Sequence, residues 1–493
     1  MDPRTVAVAL AEEAAYPEEP PFHPHGEAPG NPFRERSDAP NHAYDAVRRA
    51  LELAGLDKAN TGTAAWNPLA DLIRPSETVV LKPNLVKEFH PRDPLGWRYV
   101  LTHGSVIRAV ADHVFRAVGP KGRIVIADAP QTDSSFTRIV EVLGLLEVQA
   151  FYRERGFELE LIDLRQEEWE TRSGVVVARH ALSGDPRGGV AFDLGASSEL
   201  AAHRGSGRYY GAFYDEQQVN LHHSGGRHEY LLSGTVMQAD VLFSLPKLKT
   251  HKKAGVTASL KNLVGINADK NWLPHHTEGN PSTGGDEFPN SDPLRRLERF
   301  AARRFRRLAL HVPKAGSWLM RQARPVGLSL FGDTENVIRS GNWWGNDTVW
   351  RMCLDLNKIA FYGRADGTLR DPGTGRRRHF SLVDGILGGE GRGPMNPDPV
   401  ESGVVLFGVH PATVDAACVV LMGFDPERVP IVREAFRCER YPLAEWDWRD
   451  VRIVSDRDDW SRGLAEIDPE ATFHFKPHFG WTGRIERGVR VSA

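Results

Sequence analysis

Five lysines and one histidine fall within residues 245–267, LPKLKTHKKAGVTASLKNLVGIN. Cations this crowded repel one another unless an anion lies among them. The stretch follows an apolar run, ADVLFSL (239–245), that reads as a buried strand. It closes in a helical segment, VTASLKNLVG (256–265), whose first N–H groups also favour an anion. Lys247, Lys249 and Lys261 are therefore candidate ligands for a phosphate or carboxylate, with Asn262 beside them. His251 can donate a hydrogen bond or serve as acid and base near neutral pH.

In an open α/β sheet, ligands bind beyond the carboxyl ends of the strands. ETVVLKPN (77–84) ends on Lys82 and Asn84, GRIVIADAP (122–130) on Asp128, and SGVVLFGV (402–409) runs into His410. If these ends converge, lysines face carboxylates in one crevice. Five glycines lie between 385 and 393 in LVDGILGGEGRGPMNPDP (382–399), flanked by Asp384 and Glu390 and holding Arg392. That density means either backbone held close to a partner or an ordered loop of its own. Asp128, Asp384, Glu390 and Asp415 make a candidate set for a divalent hard cation. His222, His223, His228, His275 and His276 are the side chains a transition metal would use.

The elements that must position these residues alternate. TVAVAL (5–10), ETVVLKPN, GRIVIADAP, ADVLFSL and SGVVLFGV read as strands. Residues 41–56, capped by Asn41, then 103–119 with Ser105 as its cap, 137–145 and 412–423 read as helices. Strands apolar throughout are covered on both faces. The fold predicted is α/β: a mostly parallel, doubly wound sheet with helices on both faces and two large insertions. Its parts are a first core segment (1–164), a β-rich insertion (165–235), and core with the Lys-rich loop (236–269). A second insertion (270–380) and the C-terminal core with the Gly-rich loop (381–493) follow.

Composition narrows the function. The net charge of −3 gives no global pull toward nucleic acid, and none is expected as a partner. No G-x-G-x-x-G or G-x-x-x-x-G-K-[ST] loop occurs. Three scattered cysteines make no C-x-x-C, so no Fe–S cluster is expected from the chain's own cysteines. Without a secretory n-region or a spanning apolar run, the location expected is cytoplasmic. One segment, LRRLERFAARRFRRLALHV (294–312), reads as a basic amphipathic helix. It either docks on its own core or makes peripheral contact with an anionic membrane. Trp343 and Trp344, in GNWWGNDTVW, either stack on a sugar or base or simply pack.

VVLKPNLV (79–86), DVLFSLPKLKTHKKAGVTASLKNLVGI (240–266) and LVDGILGGEGRGP with GVVLFGVHPATVDAACVVLMG (382–423) resemble the three signature blocks of the DUF362 family, in order. The resemblance carries that family's recurrent polar positions onto Lys82, Asn84, Lys247, Lys249, His251, Lys261, Asn262, Asp384, Glu390 and Asp415. Two departures stand out. Many members carry a ferredoxin-like cysteine module, absent here, and the usual Asp-Pro of the last block is His410-Pro411. The Lys/His-rich segment is also faintly similar to the lactate racemase family, whose nickel-pincer cofactor is held by lysine and histidines.

The expectation is an enzyme acting on an anionic small molecule, phosphorylated or carboxylated. Lys82, Asn84, Lys247, Lys249, Lys261, Asn262 and Arg392 would bind it. His251, Asp128 and Glu390 would do the proton work, with a divalent metal at Asp128, Asp384, Glu390 and Asp415. Two other readings stand beside it: a racemase- or isomerase-like enzyme with a nickel-pincer-type cofactor, and a non-catalytic accessory protein docking on membranes through 294–312.

Overall fold

The computed structural model describes residues 1–172, 175–211, 216–290 and 336–488. The basic segment 294–312 lies outside the described residues. Eleven strands form one mixed sheet: β1 (Thr5–Leu10), β2 (Thr78–Pro83), β3 (Arg123–Asp128), β4 (Leu159–Asp163), β5 (Val241–Leu245), β6 (Lys247–His251), β7 (Gly255–Thr257), β8 (Arg378–Glu390), β9 (Asp398–Val400), β10 (Val404–Gly408) and β11 (Arg452–Ser455). The order along the sheet is β11-β1-β10-β8-β5-β2-β3-β4, with β6 and β9 paired to β8 and β7 to β6. Strands β8, β5, β2, β3 and β4 run parallel, whereas β10 runs antiparallel to β1 and β8.

Alternation along each strand builds two cores. Val79 and Leu81 of β2, Ile124 and Ile126 of β3, and Val405 and Phe407 of β10 enter one core, with α1 (His42–Leu53) and α2 (Gly104–Val118). Val80, Val125 and Leu406 enter the other, against α4 (Val349–Tyr362) and α5 (Pro411–Leu421). A short helix, α3 (Ser259–Asn262), follows β7. Helices thus cover both faces of a mostly parallel sheet, as a doubly wound α/β fold requires. α2 is capped by His103, whose ring accepts from Ser105 N, so the cap falls two residues before Ser105.

Two stretches read as loops are strands. Pro246 interrupts β5, yet the chain resumes at once as β6, every residue of it buried, and folds back as β7. The glycines at 385, 388 and 389 lie inside β8, thirteen residues long, rather than in an Ω-loop. They are small because backbone and side chains press on them: a Cβ on Gly385 would meet Val404 Cγ2 at 2.9 Å, and one on Gly389 would meet the Tyr99 carbonyl at 3.0 Å. α4, in the second insertion, packs into the core although Asp355, Asn357 and Lys358 interrupt its apolar pattern. Within 165–235, Gly189–Asp193 pairs with Glu229–Ser233 as a small separate sheet. Among the described residues no helix is long and apolar enough to cross a membrane.

Candidate functional site

The carboxyl ends of β2 and β3 bring Lys82 and Asp128 together, 2.8 Å apart and both buried. The Lys82 ammonium also donates to Asn262 Oδ1 at 2.9 Å and to its neighbour's carbonyl, Pro83 O, at 2.8 Å. All three of its donors are thereby used. Asn262 returns two bonds, to Lys82 O and Ser244 Oγ, and accepts from Asn84 Nδ2. Asp128 accepts the backbone N–H groups of Leu85 and Ala129. A Cβ on Gly265 would fall 1.9 Å from Asp128 Oδ1, so only glycine lets this backbone lie against the pair. Lys82, Asn84, Asn262 and Asp128 form a closed knot tying β2, β3, β5 and α3 together.

A second buried pair is Lys247 with Asp384, 3.0 Å apart and register partners across β6 and β8. Tyr16 completes it: its hydroxyl donates to Asp384 Oδ1 at 2.6 Å and accepts from the Lys247 ammonium. His103 N donates to Asp384 Oδ2, and the His103 ring stacks on Tyr16 at 4.0 Å. Tyr16 and His103 had no mark in the sequence. They come from a proline-rich arm and a helix cap.

Lys249 differs. It is fully buried and, among the described residues, donates only to the Val100 carbonyl. Burial, and then the charges of Lys247, Lys261 and Lys82, hold its pKa well below the lysine range. Lys261, half-buried at the end of α3, makes no side-chain hydrogen bond or ion pair among the described residues, and burial lowers its pKa too. Lys253, unremarked in the sequence, is buried beside His276 at 3.3 Å, and burial pulls it down to about 7. Desolvation favours the neutral amine unless an anion compensates.

His251 accepts the N–H groups of Lys253 and Ala254 at its Nδ1, both at 3.1 Å. The proton of the neutral ring therefore sits on Nε2. Burial, with Lys261 and Lys252 nearby, keeps the ring from charging. His251 thus presents a hydrogen-bond donor through Nε2. His275 has the opposite tautomer: its Nδ1 donates to the Leu273 carbonyl at 3.0 Å, so the ring proton sits on Nδ1. Burial and then Lys253 and Lys261 hold its pKa well down.

The expected metal set does not assemble. Asp128 and Asp384 are tied to lysines. Asp415, on α5, accepts Ser259 N at 2.6 Å and Leu260 N at 2.9 Å. It already accepts the first N–H groups of α3, so that helix end is satisfied within the chain. Glu390 accepts Lys476 N at 2.8 Å and pairs with the Lys476 ammonium at 3.2 Å, fastening β8 to the C-terminal segment rather than joining the lysines. Among the described residues no three His, Cys, Asp or Glu side chains group as a metal site. His222 instead stacks on Trp272 at 3.4 Å and pairs with Glu229.

Other candidates are dispersed. Because β10 runs antiparallel, His410 lies at the opposite end of the sheet, against Phe361 and Trp446. Arg392 is exposed at the surface near His478. Trp343 is buried and donates to the Asp286 carbonyl, whereas Trp344 is exposed under Arg484. Trp481 roofs the β6–β7 turn, donating to Lys252 O at 2.8 Å.

A family model for a domain of unknown function, DUF362, matches residues 175–420, which include the lysine hairpin, β8 and α5. The chain belongs to the DUF362 family. In this DUF362 protein the matched span supplies Lys247, Lys249, Lys261 and Asp384, while Lys82 and Asp128 come from the preceding strands. No curated protein matches the chain. A crystal structure of a protein from Thermotoga maritima is similar at 12% identity, covering 76% of this chain and 57% of its own, with a TM-score of 0.26. At that score the likeness carries no argument, and the fold stands on the topology above.

Proposed function

We propose that this DUF362 protein is an enzyme that binds an anionic small molecule, phosphorylated or carboxylated, beyond the carboxyl ends of β2, β3, β5 and β6. One observation carries the reading: an imbalance of charge. Asp128 and Asp384 each already face one ammonium, whereas Lys249 and Lys261 have no carboxylate partner among the described residues. An anion would supply it, and would return to these amines the protons that burial removes. Lys261, the half-buried one, is the contact residue. Lys249 adds charge from behind. His251 donates through Nε2. Lys82 and Lys247 hold the frame through their own carboxylates.

Native mass spectrometry on protein purified without added anions tests this. A phosphorylated or carboxylated molecule should accompany the wild type and be absent from Lys261→Ala. If Lys261→Ala keeps the same molecule at the same occupancy, the reading is wrong.

A further inference from the structure

At the other end of the sheet, where β5 and β8 begin, an open cavity of 560 Å³ is lined by Arg364, Arg370, Arg376, Arg377, Arg378 and Asp240, among others. That volume suits a small-molecule ligand. Arg376 pairs with Glu445 and Arg378 with Glu77, each at 2.6 Å. Arg377 is buried and meets only backbone carbonyls, of Val236, Met237 and Gly363, and the Met237 sulfur, with the Asp240 charge nearby. Arg364 donates to Leu369 O and Thr368 Oγ1, and the Arg370 guanidinium has no partner among the described residues.

The charges do not balance. Five guanidiniums meet four carboxylates, Glu445, Glu77, Asp240 and Asp366, the last facing the Arg364 charge, which leaves the Arg370 charge over. Asp366 also accepts from Thr368, and Asp371 accepts from Gly373 N. His379, two residues after Arg377, adds no charge: burial and its neighbours His410 and Arg377 keep it neutral, near 3.

We propose that this cavity is a second anion site, separate from the buried lysine cluster, that takes a small phosphorylated molecule through Arg364 and Arg370. A phosphate monoester presents three acceptor oxygens, enough for the Arg364 and Arg370 guanidiniums to share one group. Guanidinium forks also fit phosphate oxygens in pairs.

Calorimetric titration with inorganic phosphate at pH 7.5 tests the proposal on wild type, Arg364→Ala/Arg370→Ala, Arg370→Gln and Lys261→Ala. Thermal unfolding confirms that each variant is folded. The double variant should weaken one binding event by about tenfold or more, and Arg370→Gln by less. Lys261→Ala should leave that event unchanged, and acetate should not displace it. A double variant whose isotherm superimposes on wild type would overturn the site. So would an event abolished by Lys261→Ala. A single-stranded oligonucleotide that binds far tighter than phosphate through the same arginines would overturn the small-molecule assignment.

Discussion

Lys82 and Asp128 end neighbouring parallel strands and meet at 2.8 Å, with both side chains almost wholly buried. Removing one member of such a pair leaves the other charge uncompensated in a dry interior. Lys82→Met is therefore expected to cost about 3–5 kcal/mol of stability, read by urea unfolding. The double variant Lys82→Met/Asp128→Asn should be less destabilised than the sum of the two single changes. Additive losses would show that the pair is not coupled.

Gly265 tests the same knot from its backbone side. Gly265→Ala places a methyl where Asp128 Oδ1 and the Lys82 ammonium now sit, at 1.9 and 2.6 Å. Neither group can retreat without breaking its bonds. The expected loss is about 1–3 kcal/mol, and a variant as stable as wild type in thermal unfolding would refute the packing described.

Asp415 is pushed up to about 7, chiefly by burial, although it accepts the first N–H groups of α3. A carboxyl whose folded pKa lies above its unfolded value stabilises fully below that unfolded value, near 4, and loses the contribution as pH rises through about 7. Asp415→Ala should remove two backbone acceptors and cost about 1–3 kcal/mol. It should also flatten the stability profile between pH 4 and 7.

Lys253 works in the opposite sense. Its folded pKa of about 7 lies below the ordinary 10.5, because burial and then Lys252 disfavour its charge, with Lys261 adding to this and Asp286 and Glu287 opposing it. The unfolded chain binds the proton more readily across that window, so stability should rise as pH increases from 7 to about 10. Lys253→Met should reduce the slope in denaturant titrations. A slope unchanged by Lys253→Met would assign it to other groups.

The sequence made β1, β2, β3, β5 and β10 plain as strands, because they are apolar on both faces and punctuated by Pro, Asn or Gly, but it gave no sheet order and hid β8 behind its glycines. It also placed Lys82 and Asp128 at strand ends and Lys247 just after one, whereas Asp384 lies inside β8. What it could not carry was partnership. Lys247 meets Asp384 only because β6 resumes after Pro246 alongside β8, and His410 leaves the group only because β10 runs the other way. Asp415 looked like a metal ligand because nothing local shows that α5 delivers it to the start of α3. Tyr16 and His103 were silent because neither arm nor cap has a period that marks a site. α4 was passed over because its buried Asp355, Asn357 and Lys358 break the apolar pattern, and are satisfied by tertiary partners such as Ser198, Leu260 and Glu199.

Among the described residues Lys261 is a half-buried amine with no side-chain partner whose pKa burial lowers, and the proposed function needs it to take an anion. Competitive labelling with trace acetic anhydride across pH, read by mass spectrometry of the peptide carrying Lys261, tests it directly in the full chain. The account predicts that Lys261 titrates below the ordinary lysine range, and that inorganic phosphate or malonate raises that pKa and slows labelling. An ordinary lysine titration, unmoved by either anion, would contradict it.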